Sequence, residues 1–367
     1  MSNKEIKGAL TYQDYSNLII NKRIFSYKKI PTTCIQPASL DLRLDKKAYE
    51  ISSSFLATES RVEERLKNFK LKTINLSKGY LFKKNITYLV ELQEELNLNK
   101  YYFGKCNPKS STGRLDIFCR TITDYNSEYE IIKNGYKGKI YLEITSKTFN
   151  IIFKEGDILN QLRLRFNKIV YLNDDRIRIL SKKTPILFNK YNKIIKPDID
   201  NGVKISANIS DNKNYIAYRA KKNSPDLIFN KYRYYSIKDF WEPIKNLKNN
   251  SITIKTNEFY ILKSKEKIKI LPELAAEMVP YDTNFGEFRV HYAGFFDPGF
   301  GCENNGSHAV LEIKTYEVPF EVEHGQNIAR LLFEKLAHIP KKIYGKEIKS
   351  NYQNQGLALS KHFRIKE

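Results

Sequence analysis

The chain of 367 residues is poor in the side chains that most often carry cross-links and catalysis. Its four cysteines, Cys34, Cys106, Cys119 and Cys302, share no paired spacing and form no CxxC. That excludes a disulfide framework and a thiol-ligated metal. Histidine is absent from the first half, and the five that follow (His291, His308, His324, His338, His362) make no HxE, HExxH or HxxxH. A zinc-bound hydroxide of the kind that deaminates bases therefore finds no ligand set. With no GxSxG elbow, Ser/His/Asp catalysis is unsupported too. No apolar run approaches the ~20 residues that span a bilayer, and the N-terminal "MSNKEIKGAL" has no apolar signal core. The expected setting is cytoplasmic, away from membranes.

What is present suits a folded protein: 41% hydrophobic and 13% aromatic residues, enough to offset the entropy of ordering. The formal charge of +22 attracts anions in general. Its lysines are scattered beside Asn, Ile and Tyr rather than gathered into a stripe, so nucleic acid is not the expected partner. A non-catalytic nucleotide- or RNA-binding β module, with the 25 tyrosines as stacking groups, stays open as a reading of another class. It predicts affinity for any single strand that falls steeply with salt.

Short apolar runs alternating with turn residues predict a mainly β chain. Helices are expected at "YQDYSNLIINKRIF", "SRVEERLKNF" and "YSIKDFWEPI", the last with a capping-box spacing at Ser236 and Asp239. A weakly periodic stretch with two prolines, 171–201, reads as a linker between domains 1–170 and 202–367. The two domains echo one another. "YLEITSKTFNIIFKEGDILNQLRLRF" and "VLEIKTYEVPFEVEHGQNIARLLFEKL" share Leu-Glu-Ile, and Glu143–Gly156 and Glu312–Gly325 are both 13 apart. "IQPASLDLRL" has a looser echo in "NGVKISANIS". An internal duplication of one β domain follows.

Both copies keep a glutamate inside an apolar strand. Alternation points it away from its apolar neighbours, toward solvent or a cleft, and shielding there would raise its pKa into the general acid/base range. In "NPKSSTGR", Ser110 and Ser111 offer hydroxyls, Gly113 allows close backbone approach, and Lys109 and Arg114 supply charge. Such a turn suits phosphate oxygens. By spacing alone it reads as a polar hairpin turn before it reads as a phosphate loop, since it is no Walker motif and lacks the helix signature that follows one.

Four stretches, "IQPASLDLRL", "PKSSTGRLD", "GYKGKIYLEI" and "SNYQNQGLALSKHF", together resemble the dCTP deaminases, relatives of the trimeric dUTPases. The similarity is to the long form with two fused copies and spans essentially the whole chain. It implies two tandem dUTPase-like β-barrel (β-clip) domains with a few short helices. It further implies metal-independent hydrolysis of dCTP to dUTP and ammonia, feeding thymidylate synthesis, in a homo-oligomer built on trimers. Magnesium would ride on the triphosphate, with no cofactor held by protein ligands, and dTTP would inhibit. On this resemblance Glu143 activates water, Ser110 and Arg114 position it and stabilise charge, and Lys109, Ser111, Thr112 and Gly113 bind substrate. Within enzymes, a dUTP diphosphatase or a bifunctional deaminase/diphosphatase is the alternative, with Asp124 or Asp297 activating water.

The second copy departs from the pattern. "VPYDTNFGEFR" stands where the Ser-Ser loop should be, yet "HYAGFFDPGFG", Glu312 and a tail with Tyr344, Tyr352 and Gln355 match the family's substrate-binding elements. Two arrangements are open: complete sites among first halves with Glu143, or hybrid sites joining Glu312, Asp297 and the tail to a first-half loop. Only the first half has both loop and glutamate, and a three-membered ring cannot alternate two kinds of half, so symmetry favours Glu143.

Overall fold

The computed structural model describes residues 6–210, 215–245, 249–280, 289–291, 294–345, 348 and 355–365. It is mainly β. In the first half the sheet runs in the order Ile117–Thr123, Lys137–Ser146, Thr87–Asn97, Leu40–Ile51, Ile158–Phe166, Tyr102–Pro108, Ile131–Ile132. Leu40–Ile51 is what curls it. Its first residues pair with Ile158–Phe166 (Asp41 opposite Gln161), and from Leu44 onward it pairs with Thr87–Asn97 instead.

The second half repeats this plan. Arg289–His291, Ser307–Lys314, Tyr260–Ile268 and Tyr215–Ala220 are neighbours in one sheet, and Val203–Ser206, Asn327–Lys335, Leu274–Pro280 and Phe295–Phe296 in another. The register shows the repeat residue by residue. Glu143 stands between Leu89 and Arg120, and Glu312 between Ile261 and His291, each on the antiparallel strand that follows a hairpin. Both strands are buried on both faces, so each glutamate is covered rather than facing solvent, at 1% and 4% exposure.

The halves do not sit apart. One core joins Leu40, Leu42, Phe82, Phe149 and Leu162 of the first to Phe229, Phe240, Trp241, Val310 and Phe363 of the second. Leu227–Ile228 adds a parallel strand to Ile151–Phe153, and the tail returns to pair Phe363 with Tyr235. Burying a side chain such as Phe363 contributes about 1.5–3 kcal/mol, so the tail is pinned by packing at this residue.

Helix Tyr12–Ile20 is capped by Thr11, whose amide donates to Asp14 Oδ2 (2.9 Å), and it buries Tyr15 and Leu18. Val62–Phe69 lays Val62 and Leu66 against Tyr141 and Leu89. The helix expected at "YSIKDFWEPI" is a single turn, Ile237–Phe240, because Trp241–Lys245 pairs with Tyr215–Ala220 and Pro243 favours extended backbone before it. The stretch 171–201 contains helix Asp174–Lys183 and packs Ile177, Ile186 and Leu187 into the second-half core. No helix among the described residues is long and apolar enough to cross a membrane.

Candidate active site

The strand Tyr102–Pro108 ends at its proline, and the next residues make one helical turn, Ser110–Gly113. Two bonds to a single carbonyl hold the turn: the Lys109 amide (2.9 Å) and Thr112 Oγ1 (2.8 Å) both donate to Leu159 O. Thr112 and Gly113 thus form the buried underside of the turn and do not line the space above it, contrary to the substrate contact expected for them. Lys109, Ser110, Ser111 and Arg114 do line it.

That space is a cavity of about 330 Å³ whose other wall belongs to the second half. Glu312 comes from strand Ser307–Lys314, Phe295, Phe296 and Asp297 from the hairpin after residue 294, and Tyr344 and Gln355 from the tail. Across the seam, Arg114 Nε lies 4.0 Å from Glu312 Oε1, with both side chains almost wholly buried. Arg114 Nη1 also donates to Ala358 O (3.0 Å), and Ser360 Oγ donates to Ser111 O (2.9 Å), so the tail is fastened over the turn. Of the residues singled out in the sequence, Tyr352 lies outside the described residues.

Burial dominates the electrostatics. It pushes the Glu312 carboxyl up to about 8, with Arg114 pulling in the opposite direction. Asp157 is pushed up to about 6 and Asp297 is raised, both by burial, with Arg163 partly offsetting the latter. Burial also raises Asp41, although Lys109 forms an ion pair with it. Lys361 is lowered to about 8 by burial and the nearby Lys109. The cavity therefore combines a carboxyl that titrates near neutrality, a fixed guanidinium, two serine hydroxyls and two ammonium groups.

Sequence reasoning missed Asp41, Asp157, Gln161 and Lys361, all of which line the cavity. The available signal was polar residues interrupting apolar runs, in "SLDLRL" and "ILNQLRLRF".

Glu143, favoured on symmetry, is not brought to this cavity. Arg120 donates to its Oε1 through Nε (2.9 Å) and Nη2 (2.6 Å), Ser54 Oγ donates to Oε2, and Arg120 stacks on Tyr129. The physical reason is the stretch between Ser52 and Phe69. In the first half it crosses the face that carries Glu143, whereas the corresponding face of the second half meets the first-half turn. Asp124 is likewise elsewhere, accepting from the Val62 amide (2.8 Å).

Residues 6–168 match the family model described as the 2'-deoxycytidine 5'-triphosphate deaminase N-terminal domain, and residues 173–363 match that for the C-terminal domain. With the duplicated β fold and a cavity that pairs a carboxylate with a cationic serine turn, these matches define the class, a nucleotide deaminase made of two fused copies. The crystal structure of 2'-deoxycytidine 5'-triphosphate deaminase from Agrobacterium tumefaciens is similar at 38% identity with a TM-score of 0.86, over 92% of this chain and 100% of that one. The chain belongs to the 2'-deoxycytidine 5'-triphosphate deaminase family, and is an enzyme of dCTP deamination. No curated protein matches it.

Proposed function

We propose that the chain hydrolyses dCTP to dUTP and ammonia in the cavity between its halves, with Glu312 as the proton-transferring group and no metal held by protein ligands. The observation that carries this reading is the approach of Arg114 to Glu312, 4.0 Å across the seam, beside Ser110 and Ser111. In its ionised form Glu312 takes a proton from water, and the hydroxide attacks C4 of cytosine. Charge then develops on the ring, where Arg114 and the serine hydroxyls supply preorganised stabilisation. The same carboxyl returns the proton to the amino group, which leaves as ammonia. A pKa near neutrality suits one group to both transfers.

Lys109 and Lys361 give the triphosphate its cationic end, and Asp297, held by Arg163 (3.3 Å), is placed to accept from a sugar hydroxyl. Metal independence belongs to the same proposal, and is tested by assaying the chelator-stripped protein. Magnesium enters as part of the nucleotide.

The test is a pair of variants assayed for ammonia from dCTP. Glu312→Gln should be inactive and Glu143→Gln active, and the reverse result refutes the assignment. Because Asp297 lines the same cavity, pyrophosphate is assayed separately, and its release would make the enzyme bifunctional. Inhibition by dTTP and a trimer-based assembly belong to the same proposal, tested by kinetics and sedimentation.

A further inference from the structure

The two reacting groups belong to different halves, so something must set the distance between them. Two residues beyond Arg114 is Asp116, and two residues beyond Glu312 is Lys314. Lys314 Nζ donates to Asp116 Oδ2 (2.9 Å), in a pair exposed by only 6% and 1% of the side chains. Alternation puts Lys314 on the same strand face as Glu312.

Asp116 is itself fixed to the first half on three sides. Its amide donates to Gly113 O (2.9 Å), its carbonyl accepts from the Lys147 amide (2.9 Å), and its carboxylate accepts from Thr148 Oγ1 (2.6 Å). Its φ of 55° lies in the left-handed region, which Asp tolerates better than most residues. The ammonium of Lys314 is thus tied to a rigid point next to the turn that carries Arg114.

We infer that the Asp116–Lys314 pair is a positioning clamp that fixes the register of Glu312 against Arg114. The polarity of the two cross-seam pairs is opposite: cation to anion at Arg114–Glu312, anion to cation at Asp116–Lys314. A slip of two residues would oppose Arg114 to Lys314 or Asp116 to Glu312, like charge against like in a buried seam. Repulsion of that kind gives register specificity even where a buried pair adds little net stability. Neither residue lines the cavity, so neither is catalytic.

The inference rests on Glu312 being the working carboxylate. The charged groups around Glu312 are Arg114 from the turn, Asp297 from the hairpin, Lys314 along its own strand, and Asp41, Lys109, Asp157 and Lys361 elsewhere on the cavity wall; His291 is its register partner. Of these, Arg114 is the one that lowers its pKa. Loosening the clamp should therefore weaken that effect and move the rising limb of the kcat–pH profile toward alkaline pH.

The test is the near-isosteric double variant Asp116→Asn/Lys314→Met in the full chain, beside Glu312→Gln. The expected result is kcat lower by about tenfold to a hundredfold, as for ~1 Å misplacement of reacting groups, with KM for dCTP within about threefold and the limb shifted upward. A folded double variant with unchanged kcat and limb overturns the clamp. An active Glu312→Gln overturns the underlying assignment instead. If the double variant does not fold, Thr148→Val, which keeps the pair but frees Asp116, should lower kcat by about threefold with KM unchanged. Unchanged kcat there overturns the clamp as well.

Discussion

Replacing Glu312 by Gln should make the protein inactive and more stable, and the gain can be worked from the site. The carboxyl has its ordinary value of 4.5 in the unfolded chain and about 8 in the folded one, because burial disfavours the charge by more than Arg114 restores. The folded state therefore holds the proton more tightly, and stability falls as pH rises from 4.5 toward 8. At about 1.4 kcal/mol per unit, ionising Glu312 costs the fold about 1 kcal/mol at pH 5, about 3 at pH 7 and about 5 at pH 9. Gln, neutral and of the same shape, escapes the cost. With an unfolding entropy of about 2 cal/mol/K per residue, the gain at pH 7 is about 4 °C in Tm. Thermal melts of both proteins at pH 5, 7 and 9 measure it. A variant no more stable than the parent at pH 9 would refute the reasoning, because ionised Glu312 would then not be carried at a cost.

Glu143→Gln should keep ammonia release while weakening the Arg120 and Ser54 bonds, with a loss of about 1.5–3 kcal/mol in denaturant melts. Lys361→Met should raise KM for dCTP about tenfold with kcat retained, since removing one charged contact to a bound triphosphate is worth about 1.4 kcal/mol or more. His362 is lowered to about 3 by burial, so its contribution to stability is present above 6.5 and lost as pH falls below that value. His362→Gln should accordingly flatten the acid side of the stability–pH curve, and an unchanged slope would show that the tail stays folded for other reasons. Protein stripped with chelator, then assayed with magnesium and dCTP, should recover full activity without zinc.

Much of the fold was legible because duplication doubles every signal. The shared Leu-Glu-Ile and the equal spacing to Gly156 and Gly325 mark strands that hold the same sheet position in both halves. The Ser-Ser turn was legible because its polar residues interrupt strand sequence, although its helical turn and the burial of Thr112 depend on Leu159, some fifty residues away. Which glutamate meets that turn was not legible. It depends on the stretch between Ser52 and Phe69 lying over one strand face and on a seam that closes over the other, and neither is a local property. The seam left traces that patterning alone could not interpret. Arg163 and Arg165 sit in an apolar strand because Arg163 donates to Ala276 O and Phe296 O across the seam, while Arg165 forms a bidentate pair with Glu334. A buried cation reads as an error in an isolated strand and as a contact only when its partner is known.

The common core that runs through both halves, with Leu227–Ile228 added to a first-half sheet, has a kinetic meaning. Arg114 and Glu312 travel on one polypeptide, so their encounter is intramolecular and carries an effective concentration in place of an association constant. Dilution that would separate the partners of a site shared between chains leaves this pair together. In this chain the completeness of the pair is settled once, during folding, and specific activity inherits no concentration dependence from it.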